Sequence, residues 1–300
     1  MNKLLLSIFV ILITFNFSYA EGILLGIAEE PSDWTPSPLI SKTEPRVRIL
    51  FHKEKDKWIA LDSNDKQKDL ALERVGWTIA FDGNNLGSLT TVDNIRLRHP
   101  DCGSCFSRDK IFRVENINKF PRLGNKSKRF SEWMGIPQNR PVVLVNAPNY
   151  KDKEKWKQFN PDKNILSRIF PKLKDAMGET YHCNGPPNWD ATKFIPTIKD
   201  VELYRSYKNI NGKVLISAGI SKRHLENCDG PVGPGSYPIW FYLGQDIKFV
   251  GYELDLLDVG DYDSDGKVEF IFHYSGYNSD GYTLFDNDFE QRYDYKWGYH

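Results

Sequence analysis

Net charge is what this 300-residue chain lacks most plainly. Its 40 Lys and Arg residues are matched by 40 Asp and Glu residues, so the formal net charge is zero at neutral pH. Nucleic acids and anionic membrane surfaces attract proteins that carry an excess of positive charge. The composition therefore argues against a nucleic-acid-binding protein and against a protein that binds membranes through its charge.

Motifs of the common catalytic families are also missing. The sequence has no G-x-S-x-G nucleophile motif, no H-E-x-x-H zinc motif and no glycine-rich phosphate-binding loop. The two carboxylates of a glycoside hydrolase meet only after folding, so a hydrolase stays open. We expect a non-enzymatic protein first and an exported enzyme as the alternative.

Long hydrophobic runs are confined to the N-terminus. Residues 4–17 are apolar and follow Lys3, and residues 18–20 read Ser-Tyr-Ala, the small-x-small form of a signal peptidase site. The run is too short to span a bilayer comfortably. We predict a signal peptide over residues 1–20, cleaved after Ala20, with an uncleaved anchor as the alternative. The mature protein would be periplasmic or secreted, with no membrane span.

Cysteine is scarce, and its even number fits an exported protein. We predict two disulfides, because exported chains use even numbers of cysteines in this way. Gly-Pro follows two of the cysteines within three residues and indicates loops. The other connectivities stay open, as do a redox Cys-x-x-Cys pair and a zinc site with His182 or His224. The predicted pairs are Cys102–Cys105 and Cys183–Cys228.

Aromatic residues, by contrast, make up 14% of the chain and favour strands. Alternating apolar residues around turn residues predict hairpins and buried strands. The fold class that follows is mainly β. We favour a β-propeller-like single domain over a β-sandwich or mixed β-fold. The predicted hairpins span 46–63, 76–93 and 238–259, the buried strands span 140–148 and 212–220, and another alternating stretch covers 106–114.

Two further segments complete the predicted organisation. Residues 21–45 contain four prolines and are expected to form an extended lead-in before a single β-rich domain at 46–300. Apolar residues spaced by three and four predict one packing helix near 162–178. Pro171 is expected to split or kink this helix, and Gly178 suits its C-terminal cap.

The clearest local signal is an acidic loop between two apolar stretches. Aspartates alternate, a glycine closes the turn, and a glutamate follows three residues later. Calcium takes six to eight hard oxygen ligands, which alternate side chains on a tight turn can direct to one centre. The loop is not an EF-hand, because Phe272 stands where that loop needs a glutamate. An acidic turn without metal is the alternative. The candidate ligands are Asp261, Asp263, Asp265, the backbone carbonyl of Lys267, and Glu269.

This loop resembles the FG-GAP or VCBS type of calcium-binding repeat. The hallmark of that family is Asp-x-Asp-x-Asp-Gly-x-x-Asp/Glu followed by a short apolar strand, which is matched within residues 258–285. In that family the loops lie in β-propeller blades of extracellular and surface proteins, where the ion stabilises the blade. The sequence carries one copy, whereas such propellers usually carry several. The C-terminal tail is similar to the ends of other exported bacterial proteins.

Together these features predict an exported, non-enzymatic binding or interaction module stabilised by structural Ca²⁺. Its partner would be a protein or a glycan that the sequence does not identify. Two enzymes are kept as alternatives: a hydrolase with spatially assembled carboxylates, and a thiol-disulfide oxidoreductase that uses Cys102 and Cys105. A structural envelope protein is a third interpretation.

Overall fold

The computed structural model covers ten segments of the chain. The predicted signal peptide, most of the proline-rich lead-in, and Cys102, Cys105 and Cys228 lie outside them. Within these segments, no helix combines the length and the apolar character needed to cross a membrane. The described residues are 22–29, 46–61, 72, 74–98, 106–115, 141–148, 150–183, 191–221, 237–276 and 279–298.

The first of the large sheets, the N-terminal sheet, has seven strands in the order β1-β7-β4-β5-β6-β2-β3, and β1 also pairs with β2. All of these pairings are antiparallel. Its strands are β1 (Ile23–Glu29), β2 (Arg46–Glu54), β3 (Lys57–Ala60), β4 (Gly76–Phe81), β5 (Asn84–Arg98), β6 (Phe106–Glu115) and β7 (Val142–Val145).

A five-stranded sheet follows, which we call the helix-covered sheet, with the order β14-β13-β12-β11-β8. A separate two-stranded ribbon precedes β11 in the chain. The strands of the sheet are β8 (Lys157–Gln158), β11 (Val201–Lys208), β12 (Val214–Ile220), β13 (Ile239–Leu243) and β14 (Ile247–Gly251); those of the ribbon are β9 (Thr180–Cys183) and β10 (Ala191–Phe194).

The C-terminal sheet is a meander of four antiparallel strands in chain order. Alternate residues of its strands point to opposite faces, and both faces are largely apolar. Such a pattern is typical of a sheet covered on both sides. The strands are β15 (Leu254–Gly260), β16 (Glu269–Gly276), β17 (Ser279–Asp286) and β18 (Gln291–Gly298).

The three large sheets stack in layers with the C-terminal sheet in the middle. One face of that sheet packs against the N-terminal sheet, through residues such as Leu25, Ile27 and Leu284. Its other face packs against the helix-covered sheet, where Phe272 and Trp240 meet. The mainly β fold is thus confirmed, whereas the described residues do not show a propeller.

The single α-helix of the described residues, α1 (Lys163–Met177), covers the far side of the helix-covered sheet. Its N-terminus is capped by Asp162, which accepts a hydrogen bond from the Ile165 amide at 2.9 Å. Gly178 at its C-terminus has φ 64°, so the predicted cap is confirmed. Ile169, Leu173 and Met177 are buried against the sheet.

Three details differ from the sequence-based expectation. The helix runs unbroken through Pro171, because the buried turns on either side hold it against the sheet. The stretch 247–259 is two strands in two different sheets, separated by Gly251 and Glu253 at positive φ. The predicted lead-in contains β1, a buried strand of the N-terminal sheet, so this part belongs to the folded domain.

Replacing Pro171 by alanine should stabilise the protein. A proline inside a helix lacks the amide donor and costs up to about 3 kcal/mol relative to alanine. The greater freedom of the unfolded alanine variant offsets about 1 kcal/mol of this gain. We expect a rise of about 1–2 kcal/mol in the free energy of unfolding, measured by urea denaturation.

The neighbouring exposed substitution Lys172→Ala is the matched control, and it should change stability by less than about 0.5 kcal/mol. A loss of stability in Pro171→Ala would contradict this account, because it would show that the proline ring contributes packing to the helix surface.

Candidate metal centre

The acidic loop is the hairpin connection between β15 and β16 of the C-terminal sheet. Gly260 at the end of β15 pairs with Glu269 at the start of β16, so the intervening residues form a closed turn. One carboxylate oxygen of each of Asp261, Asp263 and Asp265 lies within 4.8 Å of the other two. The predicted clustering of the three aspartates is therefore present in the structure.

Backbone amides of the loop orient these carboxylates. The Gly266 amide donates to both Asp261 oxygens at 3.2 and 3.3 Å, and the Asp265 amide donates to Asp263 Oδ1 at 3.0 Å. The Lys267 amide donates to Asp265 Oδ1 at 2.8 Å. Gly266 has φ 94°, a backbone conformation that a glycine adopts without strain. The turn thus holds its acidic side chains in a fixed arrangement before any ion is considered.

Glu269, the fourth predicted acidic ligand, is completely buried. It lies outside the group of three aspartates whose carboxylate oxygens are within 4.8 Å of one another. Its Oε2 accepts a hydrogen bond from the Tyr262 amide at 2.8 Å, which turns the carboxylate back toward the loop. Its Oε1 has no hydrogen-bond partner within the described residues. Burial, followed by the charge of Asp263, raises the pKa of Glu269 well above its usual range. A buried, charged carboxylate in this position is costly unless a proton or a cation neutralises it.

Two lysines from elsewhere in the chain reach the aspartates. Lys53 of β2 places its Nζ 2.6 Å from Asp263 Oδ2 and 3.3 Å from Asp286 Oδ2. Lys153 places its Nζ 2.5 Å from Asp261 Oδ2, although its side chain is 55% exposed. Burial lowers the pKa of Lys53, but the bond to Asp263 and the surrounding carboxylates outweigh it and raise the pKa overall. Part of the loop's negative charge is therefore balanced within the protein.

The base of the loop is fastened to the N-terminal sheet by two tyrosines and an aspartate. Tyr150 and Tyr262 stack with ring centroids 5.2 Å apart, and both hydroxyls donate to Asp258 Oδ2, at 2.6 and 3.0 Å. The Gly83 amide, in the turn between β4 and β5, donates to Asp258 Oδ1 at 3.2 Å. Asp258 is thus engaged in hydrogen bonds that hold the loop in place, and it is not one of the three clustered aspartates.

The remaining predicted site residues are Lys267, the fifth candidate ligand, and the four cysteines. Lys267 lies in the turn with its side chain exposed, and its carbonyl stays a predicted ligand. Cys183 ends β9, but its side chain lies outside the description, as do the other three cysteines. Both disulfides therefore stay predictions.

A buried polar cluster between the N-terminal and C-terminal sheets was not predicted from sequence. Tyr282 donates to Glu29 Oε1 at 2.5 Å, and Arg48 Nε lies 3.4 Å from the same oxygen. His273, on the same strand as Glu269, faces this cluster. We call this group the inter-sheet polar cluster; its members are Glu29, Arg48, His273, Asp280 and Tyr282, all buried.

Burial controls the protonation of the inter-sheet polar cluster. It lowers the pKa of His273 to about 4, against the opposing charges of Asp255 and Glu29. It raises the pKa of Asp280 to about 6, and the charge of Glu29 adds to this rise. Neither carboxylate oxygen of Asp280 accepts a hydrogen bond within the described residues. No alternation rule could reveal this cluster, because Glu29 and Arg48 lie more than 200 positions before His273, Asp280 and Tyr282 in the sequence.

Comparison with known proteins adds no family to this geometry. The chain matches no family model, no curated protein and no solved structure. The likeness of the acidic loop to an FG-GAP or VCBS repeat therefore stays a resemblance in sequence. Chemically, the loop offers four carboxylates and a backbone carbonyl, a set of hard oxygen donors that suits calcium.

Removing the positive charge of Lys53 should destabilise the metal-free protein. Lys53→Met keeps the length of the stem but leaves Asp263 and Asp286 without their shared ammonium group. We expect a loss of about 1–3 kcal/mol in the free energy of unfolding, measured at pH 7 with a chelator present. Lys57→Met, on the exposed side of β3, is the control. An unchanged stability for Lys53→Met would mean that solvent already compensates these carboxylates.

The inter-sheet polar cluster predicts a pH dependence of stability. Because the folded-state pKa of Asp280 is about 6, above the usual 3.8, the stability it confers is present at acidic pH and is lost as pH rises through 6. Asp280→Asn removes this loss. The stability of the variant relative to the wild type should therefore rise by about 1–3 kcal/mol between pH 4 and 7.

The difference in stability between Asp280→Asn and the wild type reports on Asp280 alone, because His273 titrates in both proteins. Denaturation at a series of pH values measures it, with the exposed Asp175→Asn as control. A pH-independent difference would refute the raised pKa of Asp280.

Proposed function

We propose that the protein is an exported binding or interaction module whose C-terminal sheet is stabilised by a structural Ca²⁺ ion in the 261–269 loop. One observation carries the metal assignment: the fully buried Oε1 of Glu269, at the end of the loop in which three aspartates cluster, has no hydrogen-bond partner in the described structure. A divalent cation supplies the missing partner and neutralises the carboxylates together.

The two lysines do not replace the ion. They form ion pairs with Asp261 and Asp263, whereas no ion pair of Glu269 is formed within the described residues. The most buried carboxylate of the predicted ligands is thus the one without an ion pair, and the charge of Lys53 only partly opposes the rise in its pKa. Magnesium suits the site less well, because it demands near-ideal octahedral geometry and keeps several of its waters.

The role of the ion follows from the position of the loop. The loop joins β15 to β16, and its base is bonded to the N-terminal sheet through Asp258. An ion there would fix the hairpin and, with it, the packing of the middle layer. This is a structural role. The signal peptide and the missing catalytic motifs of the sequence support export and a non-enzymatic function.

The β-propeller remains a proposal of the same kind. Three sheets that pack face to face in succession are compatible with neighbouring blades, and the C-terminal sheet is a four-stranded meander of blade-like form. The order of the seven-stranded N-terminal sheet departs from that pattern. The support for a propeller therefore comes from the C-terminal half of the described chain.

Glu269→Gln gives the sharpest test of the calcium site. At about 10 mM calcium, well above the dissociation constants of extracellular modules, the wild type should melt about 5 °C or more above its temperature in chelator. The variant keeps an oxygen for the Tyr262 amide but loses the buried charge. In chelator it should be at least as stable as the wild type, and calcium should not stabilise it further.

The exposed substitution Glu202→Gln is the matched control and should retain the full calcium effect. Thermal unfolding followed by circular dichroism measures all three proteins. A wild type whose melting temperature is the same in calcium and in chelator would rule out the structural calcium ion.

A further inference from the structure

A pocket of about 510 Å³ opens directly beside the acidic loop. Its volume lies within the range of small-molecule binding sites. The loop contributes Asp263, Asp265 and Lys267 to one wall, and the turn between β17 and β18 contributes Asn287 to the facing wall. Lys267 bridges the two walls, since its Nζ lies 3.3 Å from Asn287 Oδ1.

The candidate ligands of the ion divide between two sides of the loop. Asp261 and Glu269 are buried and do not line the pocket, whereas Asp263 and Asp265 do. Among the candidate ligands, Asp263 and Asp265 are therefore the ones that a molecule in the pocket can reach. Calcium takes six to eight ligands, more than the loop's four carboxylates and one carbonyl supply if each gives one oxygen. A further oxygen donor would have to approach from the pocket.

A bound ion would remove the net negative charge around the pocket. Three lysines and four aspartates line the pocket, so its formal charge is −1 by residue count. With the buried candidate ligands Asp261 and Glu269 and the paired Lys153 included, the charge is −2, which a divalent cation would neutralise. Lys55 and Lys267 are exposed at the pocket, which leaves their ammonium groups accessible to a ligand.

The facing wall supplies uncharged hydrogen-bonding groups as well. Asn287 and Gln291 both line the pocket, and their carboxamides can donate to and accept from hydroxyl groups. Lys55 and Asn287 have φ 54° and 52°, the left-handed conformation that tight hairpin turns adopt.

We propose that this pocket binds a carboxylate-bearing sugar when calcium occupies the loop. The carboxylate would approach the ion beside Asp265 and pair with Lys267, while sugar hydroxyls would bond to Asn287 and Gln291. The inference rests on the proposed calcium site and gives the binding module its ligand class.

The test uses D-glucuronate as the probe and the full-length protein. Saturation-transfer NMR should detect binding of glucuronate in calcium and a loss of the signal in chelator. D-glucose, which lacks the carboxylate, should bind at least about tenfold more weakly. Lys267→Met keeps the backbone carbonyl of the loop but removes the ammonium group, and should raise the Kd for glucuronate about tenfold.

Lys157→Met, an exposed substitution on β8, is the matched control and should leave the Kd unchanged. Melting temperatures of each protein, in calcium and in chelator, are measured in parallel. Calcium stabilisation without any glucuronate binding would overturn the pocket proposal and leave the calcium site standing. An absence of calcium stabilisation would overturn both. Equal binding of glucuronate in calcium and in chelator would overturn the dependence on the ion.

Discussion

The C-terminal sheet is buried on both faces, and this constraint governs the chemistry of the molecule. A strand residue on such a sheet faces a neighbouring layer whichever way it points, so polar side chains on it must find partners there. Glu269 and His273 lie on the same strand, β16, and both are completely or almost completely buried. Each belongs to a separate polar group in an otherwise apolar interior.

The aspartates of the acidic loop find their partners in lysines from other parts of the chain. Lys53 arrives from the N-terminal sheet and Lys153 from the segment before β8, and together they pair with two of the three aspartates. These contacts explain how the loop can fold around clustered carboxylates whose mutual repulsion would otherwise oppose the turn. They also leave Glu269 as the group whose charge is best compensated by an ion.

The same two interfaces explain why the hairpin is well fixed. On one side, the stacked tyrosines and Asp258 connect the loop to the N-terminal sheet. On the other, Phe270 and Phe272 pack with Phe289, which lies in the turn between β17 and β18. The two turns that border the pocket are thus both connected to the core.

The sequence by itself determined the strand-rich fold, most strand positions, the capped helix and the acidic loop. These features depend on residues near one another in the chain: alternation, turn residues, a cap, and aspartates spaced by two. The alternation of Val268, Phe270 and Phe272 after the loop indicates one buried strand face. Only the tertiary structure decided that the opposite face is buried too, that Pro171 is tolerated inside the helix, and that β1 completes the first sheet. Lys53 and Glu29 meet their partners across more than 200 positions, and a local pattern carries no information about contacts formed when separate sheets stack.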